Sequence, residues 1–182
     1  MSFGELNFYS LKTKQYMCLR AHICALLILL AFAGKLNAQL SAHSLEQKMV
    51  EQPKNIVIML TESTCMPCLM QLKQIEKSKS LSKRLNQDFY FLEVDINNPD
   101  TIAFNRQKYG NPKPDDRFAV NDFAYTFGRN EYDNLLTPTW LFFDKTYQLI
   151  LKFHGLLKLS DIEKILDAIE SIDVETITYR LK

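Results

Sequence analysis

Cys65 and Cys68 stand three residues apart in the stretch Thr61-Glu62-Ser63-Thr64-Cys65-Met66-Pro67-Cys68. Side chains at that spacing meet on one helical face. Such a pair can serve as a redox couple, as half of a metal site, or as a structural staple. The staple is the weakest use, because a bridge closing so short a loop restricts the unfolded chain less than a long-range one. The choice among the three depends on the elements that hold the pair.

Residues 55–60, Asn-Ile-Val-Ile-Met-Leu, form a continuous β-branched and apolar run of the kind found in a strand buried on both faces. A short amphipathic helix over 44–52, closed by Pro53, precedes it. From Cys65 the apolar positions take helical spacing: Cys68, Leu72 and Ile75, then Leu81 and Leu85, with no Gly or Pro after Pro67. Pro67 is compatible with a first turn, where a backbone N–H has no intrahelical partner. The cysteines therefore fall on a strand-to-helix turn. Residues 88–96 read as a second buried strand, 135–144 as a third and 147–153 as a fourth, the last two joined as a hairpin through Asp144-Lys145-Thr146. Gly155 ends the hairpin. Ser160 is expected to cap a final helix with apolar face Ile162, Ile165, Leu166 and Ile169, and Glu163 in capping-box position. A parallel βαβ half followed by an antiparallel ββα half predicts an α/β sheet covered by helices.

The pair sits in a chain whose 182 residues suffice for one globular domain. Its 22 basic and 21 acidic residues give no electrostatic footprint for nucleic acid or a membrane surface. Residues 1–38 are expected to be a signal region rather than part of the fold. Arg20 flanks an apolar run from Ile23 to Phe32, too short for a comfortable span, and Leu36-Asn37-Ala38 has the small-residue pattern of a cleavage site before Gln39. Translation from Met17 would give the most compact version. Neither Cys18 nor Cys24 lies where lipid attachment requires it, and both leave with the signal. The mature domain, 39–182 with a core of about 44–171, then keeps only Cys65 and Cys68. Export to the periplasm is the expected location, with membrane contact only through an uncleaved signal.

Three features in order resemble the thioredoxin-fold family of exported thiol-disulfide oxidoreductases: a strand followed by Cys-Met-Pro-Cys opening a helix, Thr137-Pro138-Thr139 before a strand, and a hairpin followed by Gly155 and a terminal helix. The resemblance covers roughly residues 44–171. It implies a thioredoxin-like fold, with a central mixed sheet of about four strands flanked by helices and a helical insertion before the cis-proline loop. It also implies that Pro138 is a cis proline facing the disulfide and that the backbone of Thr137 pairs with a substrate segment. At the helix amino terminus Cys65 gains from the dipole and the unpaired N–H groups, and is expected to be the nucleophile. Cys68, one turn deeper, is expected to resolve the mixed disulfide. The expected partners are protein thiols and disulfides and an unidentified electron donor, the expected state is a monomer, and no cofactor beyond the dithiol and no metal is expected.

The family pattern breaks at two positions. Thioredoxins carry a buried Asp six residues before the first cysteine and a Trp just before it, where this chain has Met59 and Thr64. Glu62 and Glu93 are candidate substitutes as proton acceptor, set against a plain exposed role for each. Met66-Pro67 shares with thioredoxin the proline before the second cysteine and lacks the His of strongly oxidising relatives, which favours a reductase. Residues 99–136 read as two short helices around Gly110-Asn111-Pro112, with Phe123, Tyr125, Phe127 and Tyr132 as candidate partner contacts or as packing, and Trp140 as core. Two alternatives stay open: a copper or zinc metallochaperone using Cys65, Cys68 and His154, and a catalytically idle interaction domain. Against the first, copper-delivering relatives usually separate their cysteines by three residues, and no second Cys or His cluster completes a closed zinc site. His43 is the other histidine of the mature chain. The tail 172–182 reads as an edge strand or as a frayed end.

Overall fold

The computed structural model describes residues 42–180 of the chain, with side chains over 44–172. The expected signal region and its cleavage site lie outside the described residues. Helix α1 (Ala42–Glu51) leads into strand β1 (Ile56–Thr61), helix α2 (Met66–Lys77), helix α3 (Lys79–Gln87) and strand β2 (Tyr90–Asp95). A small hairpin, β3 (Ile102–Phe104) and β4 (Gln107–Tyr109), and helix α4 (Asp122–Gly128) follow. Strands β5 (Thr139–Phe143) and β6 (Leu149–His154) and helix α5 (Leu159–Arg180) complete the order. The four-stranded sheet runs β2-β1-β5-β6, with β1 and β2 parallel and the other two pairs antiparallel. This is the mixed α/β architecture expected from the sequence.

Alternation along the central strands sends side chains to two apolar layers. Ile56, Ile58, Leu60, Leu141 and Phe143 face one layer with α1, the β3–β4 hairpin and α4. Val57, Met59, Trp140 and Phe142 face the other, which holds Cys65, Cys68 and the apolar stripes of α2, α3 and α5. Both β1 and β5 are buried along their whole length, as an apolar run with helices on each side must be. β2 departs from expectation: at a sheet edge it alternates, with Tyr90, Leu92 and Val94 buried and Phe91, Glu93 and Asp95 half-buried.

Several boundaries also depart. The expected continuous helix through Leu85 breaks at Ser78, whose extended backbone ends α2 and starts α3, its N–H donating to Gln74 and Ile75 carbonyls. The six-residue gap from Ile75 to Leu81 does not fit helical spacing, and the break lets both helices keep a face on the same layer. Residues 99–109 do not form a helix. Ile102 and Phe104 are buried on alternate positions, and Asn105 and Arg106 turn the hairpin at φ 53° and 61°, the paired left-handed backbone of a tight β-turn. The insertion therefore holds one helix, α4, capped by the Asn121 side chain, which accepts from Phe123 N–H. The hairpin between β5 and β6 uses residues 144–148 rather than three. α5 starts at Leu159, with the Lys158 carbonyl accepting from Asp161 and Ile162, so Ser160 lies inside the first turn. Its backbone stays helical to Arg180, so the edge-strand reading of the tail does not hold. Among the described residues no helix is long and apolar enough to cross a membrane.

Candidate active site

β1 ends at Thr61, and a turn closed by the Cys65 N–H donating to the Glu62 carbonyl (2.9 Å) delivers Cys65 to the start of α2. Cys65 has extended backbone (φ −77°, ψ 96°) and acts as the helix cap, its Sγ accepting from the Cys68 N–H at 3.1 Å. Leu69 N–H donates to the Cys65 carbonyl at 3.2 Å, completing the first turn. Pro67 falls in that turn, where its missing N–H costs nothing. The two sulfurs are joined as a disulfide. Their burial differs: Cys65 is 8% exposed and Cys68 1%. Around them Met66, Leu69 and Met70 present an exposed apolar rim on α2.

The Thr137–Pro138 peptide bond is cis. Pro138 is buried and Thr137 half-buried, and the Pro138 carbonyl accepts from Gly155 N–H at 2.8 Å. Thr139, which opens β5, pairs with Leu60 near the end of β1. The Thr137-Pro138 segment and the turn carrying Cys65 thus emerge from the same end of neighbouring strands.

Beside Thr139 lies His154. The Thr139 hydroxyl donates to the Leu136 carbonyl at 2.6 Å, so its oxygen receives the hydrogen bond from His154 Nδ1 at 2.7 Å, assigning the Nδ1–H tautomer. Burial, then the nearby Lys152 charge, hold the imidazole below the usual histidine range. Among the described residues no group of three or more His, Cys, Asp or Glu side chains is placed to hold a metal ion. The structure therefore does not join His154 to the cysteines.

A cleft of about 320 Å³ opens against Cys68 and is lined by Thr61, Glu62, Glu93 and Asp95. Both carboxylates singled out in the sequence line this cleft. Asp95 and Thr61 join them, which the sequence reading missed. Parallel pairing sets Met59 beside Glu93 and Thr61 beside Asp95, a register that a single strand pattern does not reveal. Gln71 was also missed: it is fully buried one turn beyond Cys68, and its Oε1 accepts from Leu157 N–H at 2.8 Å.

The aromatic residues of the insertion divide. Phe123 is fully buried and Phe127 packs beside it around Phe104, on the sheet face away from the cysteines. Their role as partner contacts is corrected to packing. Tyr125 and Tyr132 are 51% and 75% exposed, and Trp140 is core as expected.

No curated protein matches the sequence. Among solved structures, chloroplastic thioredoxin z is 16% identical, covering 73% of this chain and 93% of its own, with a TM-score of 0.47. A thioredoxin-fold protein from Helicobacter pylori is 19% identical over 75% of this chain and 81% of its own, TM-score 0.48. The oxidoreductase DsbH is 15% identical over 72% and 83%, TM-score 0.49. The family profile described as a thioredoxin-like domain matches residues 43–170. That domain, with a Cys65–Cys68 disulfide at a helix amino terminus, supports thiol-disulfide oxidoreductase chemistry. Since the match spans most of the chain, the protein belongs to the thioredoxin-like domain family.

Proposed function

We propose that this protein reduces disulfides of exported proteins, with Cys65 as nucleophile and Cys68 as resolving thiol. The observation that carries the reading is the unequal burial of two linked sulfurs at the start of α2. In the dithiol form the Cys65 thiolate, favoured by the helix amino terminus, attacks one sulfur of a substrate disulfide. A mixed disulfide forms and the first substrate thiolate leaves. Cys68 then attacks Cys65 Sγ, the bond from Cys65 to the substrate breaks, and the second substrate thiolate departs. Two electrons pass to the substrate and Cys65–Cys68 is left oxidised, to be recharged by a separate electron donor.

In this reading the backbone of Thr137 pairs with the substrate chain, while Pro138 presents no N–H at the neighbouring position. The apolar rim of Met66, Leu69 and Met70 offers contact area to apolar residues flanking the substrate cysteine. The apolar run and small-residue site before Gln39 support export to the periplasm. Met66-Pro67 between the cysteines supports the reducing direction, and the couple is expected nearer about −270 mV than about −120 mV.

The test is substrate trapping with the reduced protein. Cys65→Ser abolishes insulin-disulfide reduction, whereas Cys68→Ser still attacks and accumulates mixed disulfides through Cys65. Turnover by Cys65→Ser, or a potential at the oxidising end, would overturn the assignment.

A further inference from the structure

The segment Leu136-Thr137-Pro138 lies outside the strands, yet its backbone is held on both sides of Thr137. The Pro138 carbonyl accepts from Gly155 N–H at 2.8 Å. The Leu136 carbonyl accepts from the Thr139 hydroxyl at 2.6 Å, and that hydroxyl accepts in turn from His154 Nδ1 at 2.7 Å. Between the two tied carbonyls the Thr137 backbone makes no hydrogen bond among the described residues. Strand β6 supplies the hold. His154 ends it in register with Thr139, which is fully buried. Lys152, two residues earlier and so on the same face of the strand, donates to the Arg129 carbonyl at 2.6 Å, and Arg129 is bridged to Leu135. Two polar side chains of one edge strand thus brace the chain that leads into Pro138. Among the described residues His154 belongs to no metal-holding group; what it holds is this segment.

We infer that His154 is a positioning residue for polypeptide substrates: through the Thr139 hydroxyl it fixes the Leu136 carbonyl and so presets the Thr137 backbone for pairing with the substrate chain. This rests on the reductase reading above. A threonine hydroxyl has one proton, two lone pairs and a free rotor. With His154 Nδ1–H on its oxygen, the hydroxyl proton is directed at the Leu136 carbonyl, and accepting one hydrogen bond strengthens the one it donates. Without that donor the rotor is free and the carbonyl is held less firmly. A substrate chain must then order the segment as it binds, which weakens binding without touching the sulfurs. The tie matters for a substrate that brings a peptide backbone and not for a small disulfide that brings none.

The experiment mixes pre-reduced full-length protein with a concentration series of insulin or of bis(2-hydroxyethyl) disulfide, quenches with acid, and counts oxidised Cys65–Cys68 by mass spectrometry. His154→Leu, which keeps bulk and loses the donor, is expected to raise the half-saturating insulin concentration about tenfold, the factor for ordering roughly one backbone residue, with the limiting rate within about twofold. Its rate with the hydroxyethyl disulfide should stay within about twofold of wild type. His154→Asn, whose amide N–H can stand near the Nδ1 position, should recover most of the insulin affinity. Thr139→Val removes the relay from its other end and should match His154→Leu, and the double variant should be no worse than either, as two members of one connection require. Thermal melts check that each variant is folded. Unchanged half-saturation in both His154→Leu and Thr139→Val, equal slowing with the two disulfides, or additive losses in the double variant would overturn the inference and leave the reductase reading standing. Failure of the reduced wild-type protein to react with either disulfide would overturn the reading on which it rests.

Discussion

Gln71 is a polar side chain at a fully buried position on the active-site helix, while Leu72 beside it is only half-buried. Its amide oxygen satisfies the N–H of Leu157, itself buried in the segment after Gly155, where an orphaned donor costs about 1–3 kcal/mol. Gln71→Ala removes that acceptor and opens a void. We expect a loss of about 2–4 kcal/mol in urea unfolding with exchange chemistry retained; a loss below about 0.5 kcal/mol would contradict the contact. Cys65 and Cys68 were legible from the sequence because strand and helix patterns met at them. Gln71 was not, because its burial depends on a backbone donor 86 positions away. Glu93 was intermediate: its residue type drew attention, but only the β1–β2 register shows which face it occupies.

Helix boundaries separate into those a side chain holds and those the backbone holds. Asn121 is fully buried; its Oδ1 caps α4, and its Nδ2 donates to the carbonyls of Asn98 and Asp100 at 3.1 and 2.9 Å. It joins α4 to the segment that follows β2. Ser78, between α2 and α3, makes no side-chain cap bond. Asn121→Ala is therefore expected to cost about 2–4 kcal/mol, a lost cap plus two lost side-chain hydrogen bonds from a fully buried position, and Ser78→Ala about 0.5 kcal/mol or less. Equal effects, measured by urea midpoints at matched slopes, would refute the distinction. The strand order and the terminal helix were readable as alternation and helical spacing. The β3–β4 hairpin was misread because three-residue strands carry too few alternations, and its turn is fixed from outside, by Glu46 accepting the N–H groups of Asn105 and Arg106 at 2.8 and 3.2 Å.

Across the molecule, protonation of His154 links folding to pH. Its folded pKa lies below the unfolded value of about 6.5, first through burial and then through Lys152. In that window the unfolded chain binds more protons, so stability is present above about pH 6.5 and is lost as pH falls through the depressed folded value. The wild-type advantage over His154→Gln should shrink as pH is lowered below about 6.5, as read from denaturant midpoints; an advantage that grows would reverse the sign. The sheet also acts as a partition. The cysteines and the stripes of α2, α3 and α5 occupy one side, and the aromatic cluster of the insertion around Phe104 occupies the other. A segment lengthened on the side away from the sulfurs costs little closure entropy, about 0.6 kcal/mol per doubling of loop length, and adds no residue to the layer that holds the cysteines.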